Sequence, residues 1–288
     1  MHQSIDYGFL ATATWLDSFF GNQRYEAESN QSQFKVQFSA FRQGQTGMEY
    51  QRLDYTLRLV LPQLRKKTRL VIAGDPTAET TDTANQPGVP PVYQQQPATS
   101  RNVGGALEYF PVESNKSSFS IRAGVKLHYA NLSVVAGPRY RYLIPLDPWA
   151  LRFTQEVDWS STQPHWLSRT TIDFERPLPS GLFFRTSLEG VWTENVNGYP
   201  YALGFTLRQP LDPDRALLYS WINFFQTSPT NELLQELFVF GYRQRFWKPW
   251  LFLEIDPQVS FPRINGFAYT PGILFRLEMV FGQYSSFF

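Results

Sequence analysis

Three histidines, no cysteine and a scatter of carboxylates bound the chemistry open to this 288-residue chain. Without Cys there are no disulfides, thiolate metal sites or cysteine nucleophiles. His2 lies at the amino terminus and His165 follows Pro164 in a polar stretch; only His128 ends an alternating segment, with Ser120 and Ser133 on the same and the adjacent segment. A nucleophilic serine needs such a base in hydrogen-bond contact, plus an acid to orient it, and no motif sets these groups at a recognisable spacing. Glu156 and Asp158 could activate a water as a carboxylate pair, but neighbouring arginines explain them equally well. Nothing resembles a metal cluster, a phosphate loop or a dinucleotide fingerprint. The expectation is a protein with no catalytic residue, no metal, no cofactor and no enzymatic activity.

Composition narrows the class further. Lys and Arg number 26 against 25 Asp and Glu, a formal charge of +1 that argues against a nucleic-acid partner. Hydrophobic residues at 42% with so little net charge exclude a disordered chain, and an aromatic content of 17% requires a place for many rings. Residues 1–4 carry no basic or apolar leader, so the chain is read either as cytosolic or as a mature protein numbered after signal removal. No run approaches the roughly 18 apolar residues of a spanning helix. A barrel escapes that test, because its strands alternate.

The dominant period is two. In residues 118–131, Phe119, Ile121, Ala123, Val125, Leu127 and Tyr129 share one face, and Ser120, Arg122, Gly124, Lys126 and His128 the other. Residues 52–61 and 272–281 repeat the pattern. About fourteen such segments follow one another: 32–42, 49–61, 68–75, 103–112, 118–130, 132–144, 150–159, 166–175, 182–193, 199–208, 216–226, 232–246, 250–261 and 267–281. The register of 216–226 stays open, because Leu217, Tyr219 and Trp221 compete with Leu218, Ile222 and Phe224. Short Pro- or Lys/Arg-marked turns alternate with polar, more variable loops, of which 75–102 is the longest. Trp149, Trp159, Trp166, Trp192, Trp247, Trp250, Tyr199, Tyr201 and Tyr269 fall at segment ends, where amphipathic rings would form two girdles.

On these features residues 31–288 resemble the transmembrane β-barrel superfamily of Gram-negative outer membranes, porin-like but of no identified subfamily. The last segment, 272–281, ends at Phe281, and the chain closes on Phe287 and Phe288; such a final strand looks like the signal read by the barrel insertion machinery. The resemblance implies an all-β fold, a single antiparallel up-and-down transmembrane barrel of about 14 strands preceded by a short N-terminal helix. It also implies a bacterial outer-membrane location, contact with outer-membrane lipids and lipopolysaccharide, both termini on the periplasmic side and 75–102 outside.

Residues 1–30 do not alternate and are treated as a separate segment from the barrel at 31–288. Phe9, Leu10, Trp15, Leu16, Phe19 and Phe20 recur at helical spacing before Gly21. Three readings stand: an interfacial helix, a lumen plug, or a docking element for a periplasmic or outer-membrane protein, the last two using Trp15, Phe19 and Phe20.

Strand parity turns many charges toward the lumen. The basic set is Lys35, Arg52, Arg58, Arg122, Lys126, Arg139, Arg141, Arg152, Arg169, Arg185, Arg208, Arg243, Arg245 and Arg276. The acidic set is Asp54, Glu108, Glu156, Asp158, Asp173, Glu175, Glu189, Glu254, Asp256 and Glu278. Signs match between neighbours: Glu156 and Asp158 beside Arg169, Glu175 beside Arg185, Arg243 and Arg245 beside Glu254 and Asp256. Arg122, Lys126, Arg139 and Arg141 have no obvious acid nearby; they either favour anions or pair with a more distant carboxylate. The functional expectation is a narrow polar channel or the membrane scaffold of a larger envelope complex. The alternatives are a lipid- or protein-modifying enzyme and a gated transporter of an apolar ligand.

Overall fold

A computed structural model describes residues 19, 32–44, 49–61, 67–73, 102–114, 116–128, 131–162 and 164–282. Fourteen strands form one closed antiparallel barrel in which each pairs with its sequence neighbours and the first closes on the last. They are β1 (Gln33–Gln43), β2 (Glu49–Val60), β3 (Thr68–Ala73), β4 (Asn102–Glu113), β5 (Ser117–His128), β6 (Asn131–Leu146) and β7 (Trp149–Ser160), followed by β8 (Trp166–Pro177), β9 (Phe183–Thr193), β10 (Tyr201–Asp212), β11 (Arg215–Gln226), β12 (Glu232–Arg245), β13 (Leu251–Pro262) and β14 (Thr270–Gly282). β1 begins and β14 ends at one rim, the terminal rim, where the turns Asp147–Pro148 and Pro213–Asp214 are two residues long. The opposite edge is the loop rim.

Burial is inverted relative to a water-soluble protein. Leu53 is 68% exposed and Leu107 52%, whereas Arg69, Arg185 and Arg243 are each 1% exposed. In water this would leave apolar surface wet and charge desolvated, both unfavourable. With hydrocarbon outside and every strand edge paired by closure, the same distribution is the stable one. Trp149 and Trp159 point outward ten residues apart on β7. At about 3.3 Å per residue and a tilt of about 40°, they bracket an apolar band about 25 Å tall.

The open register of 216–226 resolves by pairing. Phe205 faces Trp221 and Arg208 faces Leu218, so Tyr219 and Trp221 turn outward while Ala216, Ile222 and Phe224 turn inward. Of the N-terminal segment only Phe19 is among the described residues; it is helical and 3% exposed. The remainder of the expected helix, the 75–101 loop and the tail from 283 to 288 lie outside the described residues.

Candidate functional site

The inner wall is where the chain concentrates chemistry. On β12, Arg243 donates from Nη1 to Glu254 Oε2 on β13 at 2.6 Å and from Nη2 to Glu278 Oε1 on β14 at 2.5 Å. Arg276 on β14 binds the other oxygen of Glu254. The Arg243 guanidinium also lies 4.5 Å above the ring centre of Phe252. One arginine thus spans three strands, using its planar fork to satisfy two carboxylates at once.

Roughly half-way round the barrel a second array forms on β5 to β9. Arg185 donates to Glu175 at 2.8 Å, Arg152 approaches the same carboxylate at 3.4 Å, and Arg169 pairs with Glu189 at 3.3 Å. Arg122 on β5 reaches across β6 to Glu156 and, at 3.4 Å, to Asp158, both on β7. The residue crossed is Gly137, which pairs with Arg122 and offers no side chain in the way. Arg122 therefore bonds acids two strands off, the more distant pairing, while Glu108 stands opposite it on the adjacent β4. Arg139 lies opposite Glu156 in the β6–β7 register.

The other expected inward residues keep their parity. Arg52 and Asp54 bond each other at 2.5 Å near the loop rim, half-exposed. Arg58, Lys126, Arg141 and Arg208 sit on inward positions of β2, β5, β6 and β10. Arg245 departs from expectation: it faces Phe252 in register and pairs with Asp214 of the terminal-rim turn at 3.1 Å, rather than with Glu254 or Asp256. Asp214 comes within reach because the two-residue turn between β10 and β11 lies beside the end of β12.

Two inward charges had escaped the sequence. Arg69 is fully buried on β3, bonded to Glu113 at 2.8 Å and 4.0 Å over the Phe110 ring. Its parity was readable, with Leu70 and Ile72 on the other face. Glu113 was not readable. A register shift between Tyr109 and Val112 on β4 adds a residue and turns Glu113 to the Arg69 side.

The wall is also less uniformly polar than expected. Ala202, Ile222, Phe224, Leu237 and Val239 form a buried apolar cluster on the inward faces of β10 to β12, toward the loop rim. At the terminal rim Phe19 packs with Ala216, Phe252 and Val280, meeting the Phe252 ring edge-on at 5.8 Å and 85°. Trp15 and Phe20 lie outside the described residues. Of the histidines, His165 contacts the Ser160 carbonyl through Nδ1 at 3.0 Å, and the His128 side chain is not among the described ones. Among the described residues no three His or carboxylate groups converge as metal ligands.

No family model and no curated protein matches the chain. Among solved structures, CdiB from Acinetobacter baumannii superposes with a TM-score of 0.51 at 8% identity, over 87% of this chain and 60% of that one. OmpTdeltaL8, a loop-deletion mutant of an outer membrane protein of Vibrio cholerae, gives 0.49 at 8% identity over 87% and 98%. Pseudomonas aeruginosa OccK11 gives 0.46 at 8% over 88% and 96%. At such identities the likeness is one of fold. Closed topology, an apolar outer band and a charged interior together make the chain a transmembrane β-barrel.

Proposed function

We propose that the barrel is a narrow channel for small polar solutes, anions preferred, with the N-terminal segment restricting its terminal-rim mouth. The inward charges support this reading. An apolar filling would close a pure scaffold at lower desolvation cost, yet this wall carries a cationic majority, to which Arg69 adds. Charged rings of this kind bias permeation by sign. Phe19, held against Phe252, places apolar bulk where solute would leave.

Single-channel recording in planar bilayers tests the proposal. The wild-type barrel is expected to open in small steps with a reversal potential favouring anions, and the bias should weaken as salt screens the wall. Phe19→Ala should raise the step size by removing the ring. If deletion of 1–30 together with 75–102 gives no openings, conduction fails and scaffolding stands. The inward apolar cluster on β10 to β12 favours one further reading, transport of an apolar solute; block of current by a neutral hydrocarbon alcohol, lost in Leu237→Asn, would support it.

A further inference from the structure

The outer surface carries one feature that conduction does not use. Outward residues on neighbouring strands align in rows. Phe205, Trp221, Phe238, Val259 and Pro271 pair in sequence from β10 to β14 and form one ridge. Leu207, Tyr219 and Phe240 pair likewise and form the next. Within the first ridge the rings lie face to face, Phe205 on Trp221 at 5.4 Å and Trp221 on Phe238 at 5.7 Å, which holds them upright. Between the ridges the side chains point inward, so the floor is bare backbone. The result is a trough of about 670 Å³ from Phe184 on β9 to Pro271 on β14, with no charged group in its lining. It crosses five strand spacings, about 24 Å at about 4.8 Å each. Pro271 is the second residue of β14 at the loop rim and Phe184 the second of β9 at the terminal rim, so the trough descends the apolar band diagonally.

A cation marks its lower end. Arg176 pairs with Phe184 across β8 and β9, and its parity turns it outward. Its guanidinium lies 5.3 Å over the Trp149 ring, which is stacked on Phe174 at 4.4 Å and touches Phe184 edge-on at 6.3 Å. On the inner wall Arg122, Arg152, Arg169, Arg185, Arg243 and Arg276 each bond a carboxylate. Arg176 has no carboxylate partner among the described residues, and its Nε is buried without a hydrogen bond. An outward guanidinium at the level of a tryptophan girdle faces lipid headgroups, whose phosphate matches its fork.

We infer that this face is a binding site for one phospholipid of the terminal-rim leaflet, its phosphate on Arg176 and an acyl chain laid in the trough. Hydrocarbon is the medium around this band, and the ridges are apolar but for the Tyr219 hydroxyl, which donates to Gln209 at 3.3 Å. The anchored headgroup distinguishes the site from ordinary annular contact. It depends on the membrane location alone and survives if the barrel does not conduct.

The test uses the full-length barrel in detergent, titrated with a phospholipid brominated on its acyl chain, with tryptophan emission as readout. Saturable quenching at about one lipid per barrel is expected, lost in Trp221→Phe but kept in Trp166→Phe at the opposite girdle. Arg176→Gln should raise the half-saturating concentration about tenfold, as loss of a charge-assisted hydrogen bond implies. Leu207→Trp, which fills the trough, should abolish saturation even if Arg176→Gln expresses poorly. Quenching that climbs linearly with the lipid-to-detergent ratio, or is the same in wild type and both variants, overturns the site. So does equal saturation by an acyl chain lacking phosphate.

Discussion

Replacing Arg243 with Met is expected to cost the barrel about 3–5 kcal/mol of unfolding free energy, the range for stranding a buried charge. Arg243 is 1% exposed and Glu278 2%. The two carboxylates it holds do not suffer equally. Glu254 keeps Arg276 on its other oxygen, while Glu278 has no second cation bonded to it among the described residues. The loss is therefore mainly the desolvation of one orphaned carboxylate. Two further measurements separate that account from simple lost packing over Phe252. Arg243→Met with Glu278→Gln should recover most of the stability, because the orphan is neutralised while the methionine remains. Arg52→Met should cost under about 1 kcal/mol, since Arg52 and Asp54 bond each other half in solvent. Denaturant unfolding of vesicle-inserted barrels, followed by tryptophan emission, reads all three. A double variant as unstable as the single one would refute the charge argument.

How far the molecule was legible from its residues follows from what alternation can encode. Where one face is charged and the other greasy, as in β5 with Arg122 and Lys126 against Ile121 and Val125, period two fixes both the strand and its orientation. Fourteen segments and the inward charge set were readable on that basis. Where both faces are apolar the signal vanishes. Ile222, Phe224, Leu237 and Val239 face inward yet resemble Trp221 and Phe238 beside them, so the apolar patch on β10 to β12 had no signature in the sequence. A bulge is equally silent, which is why Glu113 came as a correction. The third blind spot is reach. Sequence pairs neighbours, but Arg122 finds its acids two strands away, and the residue that permits this is defined by the absence of a side chain.

That residue supplies the sharpest structural expectation. A Cβ added to Gly137 would overlap the carbonyl oxygen of Val157 and come within 2.6 Å of Asp158 Oδ1 and 2.9 Å of its Cα. Two of those three atoms belong to the β7 backbone, which a closed barrel cannot move without disturbing the ladders on both sides. Gly137→Ala should therefore destabilise by about 1–3 kcal/mol, the usual cost of overpacking, although alanine is the smallest change available. Displacing Asp158 should also loosen Arg122 by removing one of its bonded carboxylates, so the anion bias of the current should change with stability. Gly105 on β4 is the control. A Cβ there meets only the Val71 carbonyl oxygen at 3.9 Å, ordinary contact on the outward face. Gly105→Ala is expected to be neutral or to stabilise by up to about 1 kcal/mol, because alanine restricts the unfolded chain. The two variants change the same atoms in adjacent regions of one sheet, and equal unfolding midpoints would mean that β7 yields at Gly137 and that the bare seat is not required.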